Sequence, residues 1–279
     1  MKKIWISAIL LSLGACLAGY YLLATPGQGT EKSATRLHDL NDSGFTIGVP
    51  MGGKATKLSE EQFPKARKAY FNSPRTGCEA VVQRSVDAFL FNSHTLDFIA
   101  SRDENLTVLP GVGERVDIAI AFAPEHKKLC DEVNKLIAQF RKDGTYQQMY
   151  DRWFKSTERP DIPEINRPDA PTRTIRVGVC SQVPPLCFRS RDEDSLSGFD
   201  IELLRRLSSK LNARIELHDM DFVTLFEALD EGRIDMGLAG LNKDTNRPDQ
   251  VLYSDNYIDS YIVAIVHTSL VATPEKGGK

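Results

Sequence analysis

Cys-x-x-Cys is missing from this chain, and its five histidines, His38, His94, His126, His218 and His267, lack the short spacings of metal ligands. A zinc or redox motif is therefore unsupported, and single surface histidines are the expected reading. Gly-x-Ser-x-Gly, P-loop and dinucleotide fingerprints are absent too, so no common enzyme signature stands out. A formal net charge of -3 supplies no basic field for nucleic acid. No low-complexity block occurs, and 41% hydrophobic with 26% charged residues is ordinary for a globular protein. At 279 residues the chain can hold one two-lobed domain or two small ones.

What is present begins with Lys2-Lys3 followed by an apolar run from Ile4 to Ala24. Such a segment directs export or spans a bilayer with its lysines inside. Leu13-Gly14-Ala15-Cys16 resembles a lipobox, which would put a lipidated cysteine at the mature N-terminus, whereas Leu17 to Leu23 stay apolar as in an uncleaved anchor. Anchor, lipoprotein and secreted protein are all open, and the first two place the remainder on the extracytoplasmic or periplasmic side, tethered to the membrane. Cys78, Cys130, Cys180 and Cys187 then meet an oxidising compartment; they allow three pairings or none.

Two stretches repeat a strand–helix–strand pattern. In the first, Phe45 to Val49 reads as a strand, Gly52-Gly53 as a turn, Gln62 to Tyr70 as helical, and Val86 to Phe91 as a second strand. In the second, Ile175 to Val179 is the strand and Pro184-Pro185 the turn. Phe199, Leu203, Leu204, Leu207 and Leu211 then share a helical face, and Ile234 to Ala239 closes the unit as a buried strand. The alternation predicts two α/β lobes with mostly parallel sheets. Between them Leu129, Val133, Leu136, Ile137 and Phe140 fall at helical spacing, with Gly144 as the stop. Pro160, Pro163, Pro168 and Pro171 mark 156–172 as an extended linker able to span about 55 Å. Thr268 to Lys279 reads as a polar tail.

From Arg173 to about His267 the chain resembles the first lobe of the type II periplasmic solute-binding proteins that serve polar amino acid ABC transporters (family 3). Arg176-Val177-Gly178-Val179, Gly198-Phe199-Asp200-Ile201-Glu202-Leu203, Gly232-Arg233-Ile234-Asp235 and Tyr253-Ser254-Asp255-Asn256-Tyr257 carry the likeness. From Asp39 to Phe154 it resembles that family's second lobe and closing helices, on Asp39-Leu40, Ile47-Gly48-Val49, Val86-Asp87-Ala88 and Asp143-Gly144-Thr145-Tyr146 through Trp153-Phe154. The lobes thus stand in reversed order. The resemblance implies a two-lobed α/β fold circularly permuted at the hinge, with 39–113 as second lobe, 114–155 as crossover and closing helices, and 173–267 as first lobe. A tandem fragment, the end of one domain joined to the start of another, is the rival. In the permuted reading Leu37 to Leu40 should lie near the end of a strand Tyr261 to His267 at a cut crossover.

The resemblance also implies a site between the lobes. Arg247 matches a carboxylate-binding arginine, whose guanidinium offers two parallel charge-assisted hydrogen bonds, although a solvated loop arginine would read the same. Gly240 matches a position whose carbonyl accepts from a ligand amino group. Phe222 matches an aromatic wall or is core, and Gly52-Gly53 a turn whose amides face the ligand or a plain tight turn. Four positions depart from the family pattern. Asn92 replaces an ammonium-binding aspartate, Asn242 a hydroxyl residue, Gly53 a threonine, and Val183 an aromatic. Asp244 could meet a cationic group or pair with Arg247.

The implied function is a non-enzymatic, cofactor-free monomer that captures a small carboxylate-bearing ligand, an amino acid or relative. Its further partner would be an ABC permease or a membrane sensor. A cyclohexadienyl dehydratase-like enzyme and a module whose cleft has lost its ligand are the alternatives. Asp200 and Glu202, at a helix start, suit the helix dipole without any catalytic role.

Overall fold

Apolar runs of period two and amphipathic runs of period 3.6 alternate along the chain, and strands and helices alternate with them. The computed structural model describes residues 32–111, 113–156, 160–190, 195–243 and 251–271. The candidate export segment, Cys16 and most of the tail lie outside them. Among the described residues no helix is long and apolar enough to cross a membrane.

The second lobe comes first: β1 (Thr46–Pro50), α1 (Lys54–Gln62), β2 (Arg67–Phe71), α2 (Pro74–Val82), β3 (Ala88–Asn92), α3 (Ser93–Ala100) and β4 (Leu106–Val108). β5 (Arg115–Ile118) and β6 (Ala121–Phe122) lead across to α4 (Lys127–Lys142) and α5 (Thr145–Tyr150), which runs into a π turn at Asp151–Lys155. The first lobe follows: β7 (Arg173–Val179), the small β8–β10 sheet (Gln182–Val183, Cys187–Arg189, Leu196–Ser197), α6 (Phe199–Leu211), β11 (Ala213–Asp219), α7 (Leu225–Asp230), β12 (Met236–Leu238) and β13 (Leu252–Tyr253). The last strand is β14 (Ile258–His267).

The two large sheets share one plan. Strand orders are β2-β1-β3-β14-β4 and β11-β7-β12-β6-β13. In each, the first three are parallel and the fourth is an antiparallel strand arriving from the other half of the chain. The lobes therefore exchange strands, and the two exchanged segments pair with each other where Arg115–Ile118 meets Ile258–Tyr261.

Three expectations need correction. Residues 62–70 are not a helix. The helix starts straight after the Gly52-Gly53 turn, ends at Gln62 before Pro64, and Arg67–Phe71 becomes an edge strand parallel to β1. Residues 262–267, assigned by sequence to the first lobe, pair with β3 and β4 in the second. Nor is a crossover cut at the hinge, because β14 runs unbroken from the hinge pairing into the second-lobe sheet. Leu37 and Leu40 do lie beside its far part, in a core cluster with Ile262, Ala264 and Val266. The Ala34 N–H donates to the Leu270 carbonyl at 2.9 Å and Ala34 bridges Val271, so the described ends meet one strand length beyond the hinge.

Alternation along β3 divides the interior. Ala88 and Leu90 face α1 and Leu40, while Phe89 and Phe91 join a core that continues through α2 and α4 to the first-lobe sheet. The α4 stripe of Leu129, Val133, Ile137 and Phe140 is buried as its spacing predicts, and Gly144 ends the helix in the left-handed region at φ 84°. The described residues 160–172 of the Pro-rich segment form no helix or strand, and Arg167, Pro168 and Pro171 line a groove with Leu204, Arg205 and Ile215 of α6 and β11.

Candidate functional site

Parallel α/β sheets leave crevices at the carboxyl ends of their strands, where chain reversals expose main-chain groups. Gly52-Gly53 follow β1, Asn92 ends β3, Val183 follows β7, Phe222 follows β11, and Gly240 and Asn242 follow β12. Every described candidate thus lies at such a strand end, and two of these ends touch. The Asn92 Nδ2 donates to the Gly240 carbonyl at 2.9 Å across the lobes.

This contact is walled by apolar side chains. A Cβ on Gly240, whose φ is +63°, would stand 3.0 Å from Leu186 Cδ1, 3.4 Å from Val183 Cγ1 and 3.5 Å from Asn92 Nδ2. Glycine therefore suits the conformation, and a Cβ would need the Leu186 side chain to give by a few tenths of an ångström. Asn92 and Val183 are 1% and 0% exposed. The residues after Asn92 extend the junction. Ser93 Oγ lies 3.1 Å from Ser260 Oγ, and His94 Nε2 lies 2.9 Å from the Asp259 carbonyl. The His94 ring packs 4.6 Å from that of Phe154, and Phe98 lies 5.9 Å from Phe188. Three consecutive side chains at the start of α3 thus fasten the second lobe to the crossover, the closing helices and the first lobe.

Asn92, Gly240 and Val183 are brought together. Asn242 sits beside the hinge, bridging Ile118, with its Oδ1 buried and unpartnered within the protein. Phe222 is half-buried against the core. Gly52 and Gly53, each at φ 82°, stand in open space, with no heavy atom within 4 Å of a Cβ added there. Arg247 and Asp244 lie outside the described residues. Missed by sequence reasoning were Leu186, Ser93, Ser260 and His94, the last a packed ring and not a surface histidine. Burial holds its pKa below the usual histidine value, with the Asp259 carbonyl opposing, which keeps the ring neutral near pH 7.

Burial governs the other titrating groups. All four described cysteines are buried free thiols, and burial pushes Cys78 up to about 12 and Cys180 to about 11, far from reactive thiolates. Asp200 and Glu202, in the first turn of α6, are fully buried. Asp200 accepts from the Tyr257 hydroxyl at 2.9 Å, yet burial raises its carboxyl to about 7. Between the unfolded value near 3.8 and that value, the native state holds a proton the unfolded chain has released. Stability should therefore fall as pH rises from about 4 to about 7, at up to roughly 1.4 kcal/mol per pH unit. Asp200→Asn is expected to remove this slope, read from urea midpoints at pH 4.5 and 7.5; an unchanged slope would place the titration elsewhere.

Comparison with known proteins adds the following. Residues 28–156 and 175–271 match the family model of the bacterial extracellular solute-binding proteins, family 3. The arginine-binding extracellular protein ArtP of Bacillus subtilis (strain 168) is 39% identical over 70 residues, covering 25% of this chain and 28% of that protein. The L-cystine-binding protein TcyA of the same organism is 25% identical over 91 residues, covering 33% of this chain and 34% of its own. The chain thus spans about a third or less of the length of these curated relatives. An ancestral arginine-binding protein solved bound to glutamine is 38% identical, covering 30% of this chain and 37% of its own, with a TM-score of 0.29.

Proposed function

The chain belongs to the bacterial extracellular solute-binding proteins of family 3, and from that premise we propose that it captures a small carboxylate-bearing solute, an amino acid or close relative, between its lobes. The observation that carries this reading is the hydrogen bond from Asn92 to Gly240. It joins the carboxyl ends of the two sheets, where such folds hold ligands. Closure turns about the paired segments Arg115–Ile118 and Ile258–Tyr261, the two connections that the lobes share. Arg247 anchors the ligand carboxylate from the first lobe, Asp244 meets a cationic group of the ligand or pairs with Arg247, and Phe222 and Val183 supply apolar wall. The Gly52-Gly53 turn and Asn92 complete the site from the second lobe.

The reversed lobe order is, in this reading, a circular permutation of one complete domain. Its support is that each large sheet takes a strand from the other half of the same chain and that Ala34 pairs with Leu270 and Val271. The protein acts outside the cytoplasm, held to the membrane by its N-terminal segment, as a monomer without enzymatic activity. It hands its ligand to an ABC permease or reports it to a membrane partner.

Isothermal calorimetry against amino acids and organic acids tests the capture. A carboxylate ligand is expected to bind, and Arg247→Ala to weaken it by at least about tenfold, since a charge-assisted hydrogen bond contributes roughly 1.5–3 kcal/mol. Unchanged affinity in that variant would remove Arg247 from the site.

A further inference from the structure

The bond that joins the lobes leaves an acceptor over. A carbonyl opposite a carboxamide accepts only from its NH2, so Gly240 settles which way round the Asn92 side chain lies. Asn92 Oδ1 is turned from that carbonyl, buried, and without a hydrogen-bond partner in the protein. Asn242 Oδ1, two residues beyond Gly240, is in the same condition. A buried acceptor left unpaired costs about 1–3 kcal/mol, so two of them where the lobes close call for donors from whatever binds there.

The charge of those donors is constrained. Both oxygens belong to neutral carboxamides, and the Gly240 carbonyl, itself neutral, already accepts one hydrogen bond from Asn92. An ammonium placed against these oxygens would give up its water for neutral acceptors and meet an N–H donor already bound to the main-chain oxygen. A hydroxyl or amide N–H satisfies the same acceptors without that desolvation cost.

We propose that Asn92 is a specificity-determining residue, whose carboxamide selects ligands with a neutral donor at this end and disfavours those with an ammonium there. The inference rests on the cleft binding a carboxylate-bearing solute. The class it favours is the 2-hydroxy acids and N-acylated amino acids over free amino acids of the same skeleton. Asn92→Asp would place a carboxylate against the Gly240 carbonyl, lose the bond between the lobes and supply a countercharge.

Calorimetry on the full chain tests this with matched pairs, L-glutamine and L-arginine each against its 2-hydroxy counterpart. For the pair whose skeleton fits, the unmodified protein should bind the hydroxy acid at least about tenfold more tightly, and Asn92→Asp should invert the order. Asn92→Ala, which keeps neither donor nor acceptor, should bring the two affinities together, and circular dichroism checks that each variant is folded. Equal or tighter binding of the amino acid by the unmodified protein would overturn the selectivity and leave solute capture standing. A hydroxy-acid preference that survives in either folded variant would remove Asn92 from the discrimination. Binding of neither member of any pair, nor of any carboxylate in the wider panel, would overturn the capture reading and this inference with it.

Discussion

Glu202→Ala is expected to destabilise the protein by roughly 3–5 kcal/mol, the range for removing one partner of a buried ion pair. The Glu202 side chain is fully buried, and three groups converge on it. Arg152 Nη1 donates to both oxygens at 2.8 and 2.9 Å, Trp153 Nε1 at 2.8 Å, and Arg206 Nη2 at 2.7 Å. Arg152 and Trp153 lie in the π turn, so this carboxylate clamps the closing helices to α6. Alanine would leave two guanidinium groups and an indole N–H facing a void. Glu202→Gln keeps an acceptor for Trp153 but not the charge, and should fall between. Urea midpoints at constant m-value measure both. A loss under about 1 kcal/mol for alanine would mean that water replaces the carboxylate and that the clamp is not structural.

Gly198→Ala should cost a similar amount by a different route. Gly198 has φ 129°, in the region that L side chains avoid, and a Cβ there would fall 2.2 Å from the Leu186 carbonyl oxygen and 2.7 Å from that of Pro185. Those carbonyls cannot simply retreat. They accept from the Asp200 and Phe199 amides at 2.9 and 3.0 Å, capping the start of α6. Backbone strain of about 1–3 kcal/mol and overpacking of about 1–3 kcal/mol add at this position. Gly52→Ala, also at positive φ but in open space, should show the strain alone. The Gly198 variant should also weaken any ligand, because Leu186 and Val183 stand on the displaced loop and wall the Asn92–Gly240 contact. Equal melting temperatures for the two variants would show that the loop yields without cost.

The alternation of strands and helices was legible because burial here follows period. The α4 stripe, β3 and β12 are apolar where their neighbours are not. The strand-end candidates were legible through family likeness and turn chemistry. Arg67–Phe71 escaped because an edge strand needs no continuous apolar run; its arginine and lysine hide the pattern. Tyr261 to His267 read as a first-lobe strand, and no local signal marks that β14 starts at Ile258, pairs first at the hinge and then enters the other sheet. Glu202 looked like a dipole-favoured acid because two of the three groups that meet it, Arg152 and Trp153, lie 50 and 49 positions away, and only Arg206 is within local reach. Asn92 was read as a replaced ligand contact, and only the folded structure pairs it with Gly240.

Both ends of the described chain rest on the second lobe, Ala34 against Leu270 and Val271. Whatever holds either end therefore holds that lobe still. Seen from such an attachment, the closure proposed above would be a swing of the segment between Ala119 and Tyr257 about the hinge pairing. The moving body presents a different outline to its surroundings in each position, while the body at the point of attachment presents the same one throughout.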